Sequence, residues 1–172
     1  DALSALADGD AIRTASVSSS NEQVAVASSG GGAIEGTYQV EVNQLAAADR
    51  KVHDGLAASD SLVGAGRFVY TYDGTTRTIH TTDTTTLEEL VDLINADGDN
   101  PGVSASLLHH EVDVDHAYHL VLSGRETGAE KAITIETDPA TGTNLAGFAD
   151  TDFTTTQAAR DAQFRVDGYP AG

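Results

Sequence analysis

Side chains alternate strictly between apolar and polar near the end of this sequence. Within TTQAARDAQFRVDG (Thr155–Gly168), Ala162, Phe164 and Val166 are apolar, while Asp161, Gln163, Arg165 and Asp167 are polar. A period of two specifies a β-strand with one buried and one wet face. Such a strand cannot stand alone, because its backbone N–H and C=O groups need a neighbouring strand. The fold must therefore bring an earlier segment back to this one. Gly30, Gly31 and Gly32 form the clearest break in the chain, since consecutive glycines make a flexible connector. If the residues after that break form a domain of their own, the closing strand rejoins short N-terminal strands across an inserted domain. Insertions of this kind are tolerated where chain ends lie close together at a surface. The expected organisation is a discontinuous, partial inner domain over 1–29 and 159–172, with an outer domain inserted over 30–158.

The elements between those ends do not alternate regularly. Ala2, Leu3, Leu6 and Ala7 have helix-like spacing before Gly9, and Val24 and Val26 suggest a short strand near residues 14–28. GTYQVEVNQL places Tyr38, Val40 and Val42 on one face of a strand. RFVYTYDGTTRTIHTT reads as a hairpin around Asp73-Gly74, a pair suited to the type I′ turn because Gly tolerates positive φ. TLEELVDLINADG reads as a helix. Thr86 and Glu89 have capping-box spacing, Leu87, Leu90, Val91 and Ile94 form an apolar stripe, and Gly98 and Pro101 end it. Strands follow at GVSASLL, AYHLVLSG and KAITIET. The pattern predicts an α+β chain of two lobes, mostly antiparallel sheet with one main amphipathic helix whose stripe packs on a sheet.

Charge limits the partners. The chain carries 27 Asp plus Glu against 9 Lys plus Arg, a net charge of −18, and such a surface repels nucleic acid and anionic lipid. Solvation or adaptation to salt accounts for it without any dedicated acidic site. No run of apolar residues is long enough to span a membrane, and the N-terminal DALSALADGD lacks the basic and apolar regions of a signal peptide. The sequence starts at Asp1 without Met, as a piece of a longer protein would. With no cysteine there is no disulfide, thiolate metal site or thiol nucleophile.

One stretch has the composition of a metal site. HHEVDVDH offers His109, His110, Glu111, Asp113, Asp115 and His116, with His119 close by, and imidazole and carboxylate are ligands for divalent ions. It lies between two expected strands, however, so it reads first as a polar hairpin loop. Neighbouring residues of an extended run point to opposite sides, and no Gly or Pro is present to turn it so that its ligand groups converge. The expectation is no metal site, no cofactor site and no catalytic residue. Serines are plentiful, but none sits in G-x-S-x-G, and chance carboxylate pairs among so many acids do not indicate a glycosidase. SSGGGAIEG lacks the lysine of a phosphate loop and precedes a strand instead of following one. TTDTTT (residues 81–86) is explained by turn propensity and an N-cap before glycan attachment needs to be invoked.

Four pieces, in order and spacing, resemble the flagellar cap protein (hook-associated protein 2) family: GTYQVEVNQLAAADR, TLEELVDLINADGDNPGVSASLL, YHLVLSGRETGAEKAITI and AARDAQFRVDG. The resemblance runs from about residue 15 to residue 168. Its strand-then-QLA and helix-then-NPGV pieces recur in other flagellar hook proteins, whereas the RETGA turn with DAQFRVDG matches the cap family best. It implies head domains, one inserted into the other, between terminal helical legs (with coiled-coil segments) that this chain lacks. It also implies a structural, non-enzymatic role: a ring-forming oligomer at the distal, extracellular end of the flagellum, exported through the flagellar channel, with flagellin and sister subunits as partners. An adhesive module binding mucin or glycans through the outer lobe is the alternative from a different class.

Overall fold

The computed structural model describes residues 16–30, 34–136 and 145–170. The chain divides into two compact units, Asp1–Gln44 with Gln163–Gly172, and Leu45–Ala162.

In the discontinuous unit, β1 (Val40–Gln44) pairs antiparallel with β9 (Gln163–Val166), matching Val40 to Val166 and Val42 to Phe164. The Gln39 N–H donates to Asp167 Oδ1 at 2.7 Å, and the Asp167 N–H donates to the Gln39 carbonyl at 2.8 Å, extending the ladder past the strand ends. The closing strand therefore has its distant partner, but a different one from that expected. Residues 16–30 hold no strand. The Val24 and Ala25 N–H groups instead donate to the Asn21 carbonyl, and the Asn21 side chain accepts from Gln23. Asn and Ser side chains that bond their own backbone compete with strand pairing, which favours the turn here. The partner is GTYQVEVNQL, so the division falls at Gln44/Leu45 and Ala162/Gln163 instead of at 29/30 and 158/159. Pairing, not glycine content, decides which side of the division a segment belongs to. Gly31, Gly32 and the helix-like spacing of residues 1–12 lie outside the described residues.

The continuous unit holds two sheets and α1 (Leu87–Ala96). One sheet has the order β5–β6–β2–β8, built from β2 (Arg50–His53), β5 (Val103–His109), β6 (Tyr118–Gly124) and β8 (Phe153–Gln157). The other has the order β4–β3–β7, from β3 (Gly66–Tyr72), β4 (Thr75–Thr81) and β7 (Thr134–Ile135). All pairs are antiparallel. The β3–β4 hairpin turns at Asp73 (φ 50°) and Gly74 (φ 69°), two consecutive positive φ values as a type I′ turn requires.

The helix forms where its sequence specifies. The Thr86 side chain accepts from the Glu89 N–H while the Glu89 carboxylate accepts from the Thr86 N–H. Leu87, Leu90, Val91 and Ile94 are all buried, each contributing about 2 kcal/mol of transfer free energy. They join Phe68, Tyr70, Tyr72, Val103, Leu120, Leu122, Ile135 and Phe148 in one core. The helix also completes the edge of β5. Asn95 Nδ2 donates to the Ala105 carbonyl and Asn95 Oδ1 accepts the Ala105 N–H, both at 2.9 Å, supplying the partner that another strand would.

Two strands escape the sequence pattern. In β2 the buried positions are Lys51 and His53, while Val52 is only half-buried, so the hydrophobic alternation is inverted. Lys51 Nζ reaches Asp150 Oδ1 at 2.8 Å, which makes its burial tolerable. The strand-like run Thr155–Gly168 is two strands: Thr155–Gln157 closes β8 against β2, and Gln163–Val166 is β9.

Candidate functional site

The His-rich loop caps the β5–β6 hairpin. A single 3₁₀ turn at Val114–His116 reverses the chain, begun by Asp113, whose side chain accepts from the Asp115 N–H at 3.1 Å. This aspartate-initiated turn does what Gly or Pro was expected to be needed for, and it draws residues three apart in the chain to one side. His110, Asp113, His116 and His119 line a surface depression together with Asp54, the residue just after β2. His109 points elsewhere, its ring stacked on Tyr118 with centroids 4.4 Å apart. Glu111 and Asp115 are exposed and do not line the depression.

Within the depression, each hydrogen bond fixes a tautomer. His116 Nδ1 donates to Asp113 Oδ2 at 3.0 Å, and that bond holds the Asp113 carboxyl below the usual carboxylate range. His119 Nδ1 donates to the His53 carbonyl at 2.9 Å. The His110 and His119 rings lie edge to face with centroids 6.4 Å apart. Among the described residues, however, no three His, Asp or Glu side chains converge closely enough to hold a metal ion.

Beneath the depression lies His53, 4% exposed, a residue that the sequence reading passed over. Its Nδ1 accepts the Gly55 N–H at 3.0 Å, so the proton sits on Nε2, which donates to the Gly147 carbonyl at 2.7 Å. The ring stacks on Phe148 at 4.3 Å and 10° between planes, and meets the edge of Phe153 at 5.1 Å. Burial lowers its pKa from the ordinary imidazole value; the hydrogen bond to the Gly147 carbonyl and, after it, Asp54 and Asp152 oppose that effect without reversing it. No local sequence signal marks this residue, because its partners come from segments far along the chain.

Elsewhere chemistry is sparse. A concavity in the discontinuous unit is lined by Ser18, Asn21, Val24, Tyr38, Val40 and neighbouring small residues, with no carboxylate, imidazole or cation among them. No helix among the described residues is long and apolar enough to cross a membrane.

Comparison with known proteins bears on what such a chain belongs to. A family profile described as the flagellar hook-associated protein 2 N-terminus matches residues 1–49, and one described as the flagellin hook IN motif matches residues 69–125. The lateral flagellar hook-associated protein 2 of Vibrio parahaemolyticus is 34% identical over 160 residues, covering 86% of this chain and 34% of that protein. The crystal structure of FliD (HAP2) from Pseudomonas aeruginosa PAO1 superposes with a TM-score of 0.65 at 27% identity, covering 80% of this chain and 66% of that one. The chain is of the flagellar cap, hook-associated protein 2, type. The D2-D3 domains of the cap protein from Serratia marcescens agree, with a TM-score of 0.64 at 27% identity over 81% of this chain and 78% of theirs. These likenesses bear out the α+β, mostly antiparallel fold expected from the sequence. The chain spans about a third of the length of its Vibrio relative.

Proposed function

We propose that this cap-type chain is a head portion of a structural protein that caps the bacterial flagellar filament. In this reading the unit Leu45–Ala162 is an outer head domain, and the residues around it belong to an inner one. The longer protein assembles as a ring at the distal, extracellular tip, where exported flagellin inserts beneath it. The role rests on shape and surface contact and requires no active site, cofactor or metal. The observation that carries the reading is the joint likeness in sequence and fold to hook-associated protein 2 over most of the chain.

The test is a chimera. The head portion of the Vibrio lateral protein is replaced by residues 16–170 of this chain and expressed in cells lacking their own cap. Filaments should form; flagellin released unpolymerised, although the chimera is exported, would sink the reading. Adhesion to mucin is the weaker alternative, because a net charge of −18 repels sulfated and sialylated glycans.

A further inference from the structure

His53 joins three parts of the continuous unit through one buried side chain and its carbonyl. Its ring holds the Gly147 carbonyl and the Phe148 ring from the segment before β8, and the Gly55 N–H from the turn after β2. Its carbonyl holds His119, and with it one wall of the His-rich depression. The neighbouring backbone repeats the tie: Asp54 N–H donates to Asp152 at 2.9 Å, and Leu56 and Tyr118 exchange bonds at 2.8 and 2.9 Å.

We propose that His53 is an acid-released latch, which holds residues 145–153 and the His-rich hairpin against β2 while neutral and lets them open when protonated. The neutral ring satisfies one donor and one acceptor, and a second proton has nowhere to go. Placed on Nδ1, it faces the Gly55 N–H, two donors with no acceptor between them. Gly55 is hemmed in on its other side. A Cβ there would lie 2.8 Å from the His116 carbonyl and 2.9 Å from the His119 ring, so its backbone is closely packed, at a φ of 107°. The ring must move instead, giving up the Gly147 carbonyl and its stack on Phe148.

The charged and titratable groups facing His53 are Asp54, just after its own strand, Asp152 in the turn before β8, and His119 from β6. Phe148 and Phe153, the aromatic groups packed on it, offer a cation no carboxylate. Asp152 is already engaged, accepting the Ala149 N–H at 2.8 Å.

Amide exchange of the 172-residue chain between pH 7.5 and 4.5 tests the latch. Protection at Asp54, Gly55 and Leu56 should fall by up to about tenfold per pH unit below pH 6.5. Ile94 in α1 and Tyr70 in β3 should keep theirs. His53→Gln, which retains a donor and an acceptor but cannot titrate, should flatten the profile, whereas His119→Gln should leave it in place. A profile unchanged by His53→Gln, a flat wild-type profile, or loss of protection throughout the core at the same pH would each overturn the proposal. Should His53→Gln fail to fold, the wild-type ring resonance decides: the His53 ring must titrate at the low end of the pH range over which Gly55 loses protection, where that loss levels off, and a ring that titrates above that range overturns the latch.

Discussion

Asn100 and Gly55 show how much single residues contribute here. Asn100 Nδ2 donates to the Ile94 and Val103 carbonyls, and its Oδ1 accepts from the Gly102 and Val103 N–H groups, all within 2.8–2.9 Å. It satisfies backbone groups at the end of α1 and the start of β5 that no regular element reaches. Asn100→Ala should lower unfolding free energy by about 3 kcal/mol, because four bonds of about 0.5–1.5 kcal/mol each are lost; urea denaturation measures it. Gly55→Ala should be at least as damaging, since positive φ and backbone contact exclude a Cβ together. A wild-type-like melting temperature for Gly55→Ala would show that the turn under His119 can move. These residues were not legible as functional or structural centres. Asn and Gly are ordinary loop residues until the tertiary structure places them under a strand edge or a ring.

Among the elements, α1 was the most legible, and its N-terminal cap can be tested directly. Thr86→Ala removes the acceptor for the Glu89 N–H and should cost about 1 kcal/mol, read as a shift of the urea midpoint without a change in slope. At the other end, Arg77 of β4 makes a paired contact with Asp97, at 2.8 and 2.7 Å, joining the hairpin to the helix C-terminus. That hydrogen bonding holds the Asp97 carboxyl below its usual pKa. The folded state therefore binds this proton less readily than the unfolded chain. The stabilisation is complete above the ordinary carboxylate range and is lost as pH falls through the lowered pKa. Asp97→Asn should flatten this part of the acid limb in a stability–pH profile; an unchanged limb would assign the acid sensitivity to other carboxylates. β2 is the contrasting element. Arg50–His53 buries a lysine and a histidine and leaves its valine half-exposed, so hydrophobic periodicity could not find it. It became a strand because β6 and β8 flank it and Asp150 accompanies Lys51.

At the scale of the molecule, the division at Gln44/Leu45 and Ala162/Gln163 has a direct consequence. The continuous unit contains two sheets, the helix and the core, whereas the only strand pair of the discontinuous unit among the described residues is β1–β9. Two-stranded pairs are marginal in water. Residues 45–162 expressed alone should therefore melt cooperatively, within a few degrees of the core transition in the whole chain. Failure of that piece to fold would mean that β1 and β9 support the core. The charge gives a second expectation. At −18, copies of the chain repel one another over a Debye length of about 10 Å at ordinary salt, so light scattering should show little association at low salt. Tight oligomers at low salt that dissociate when salt is added would contradict this.

By itself the sequence determined what depends on neighbours in the chain: the helix with its capping box, the Asp73-Gly74 turn, the β3–β4 hairpin, and the existence of a closing strand around Phe164. Its motifs also carried the resemblance to the cap family. Each of these is written in local spacing, where one residue's preference and the next few side chains decide the outcome. Only the tertiary structure decided that Phe164 pairs with Val42 instead of with residues near Val24, that Lys51 and His53 face inward, and that Asp54 meets His110 and His116 around one depression. Those outcomes depend on which distant segments can satisfy each other's hydrogen bonds and exclude water together, and sequence spacing carries no record of that.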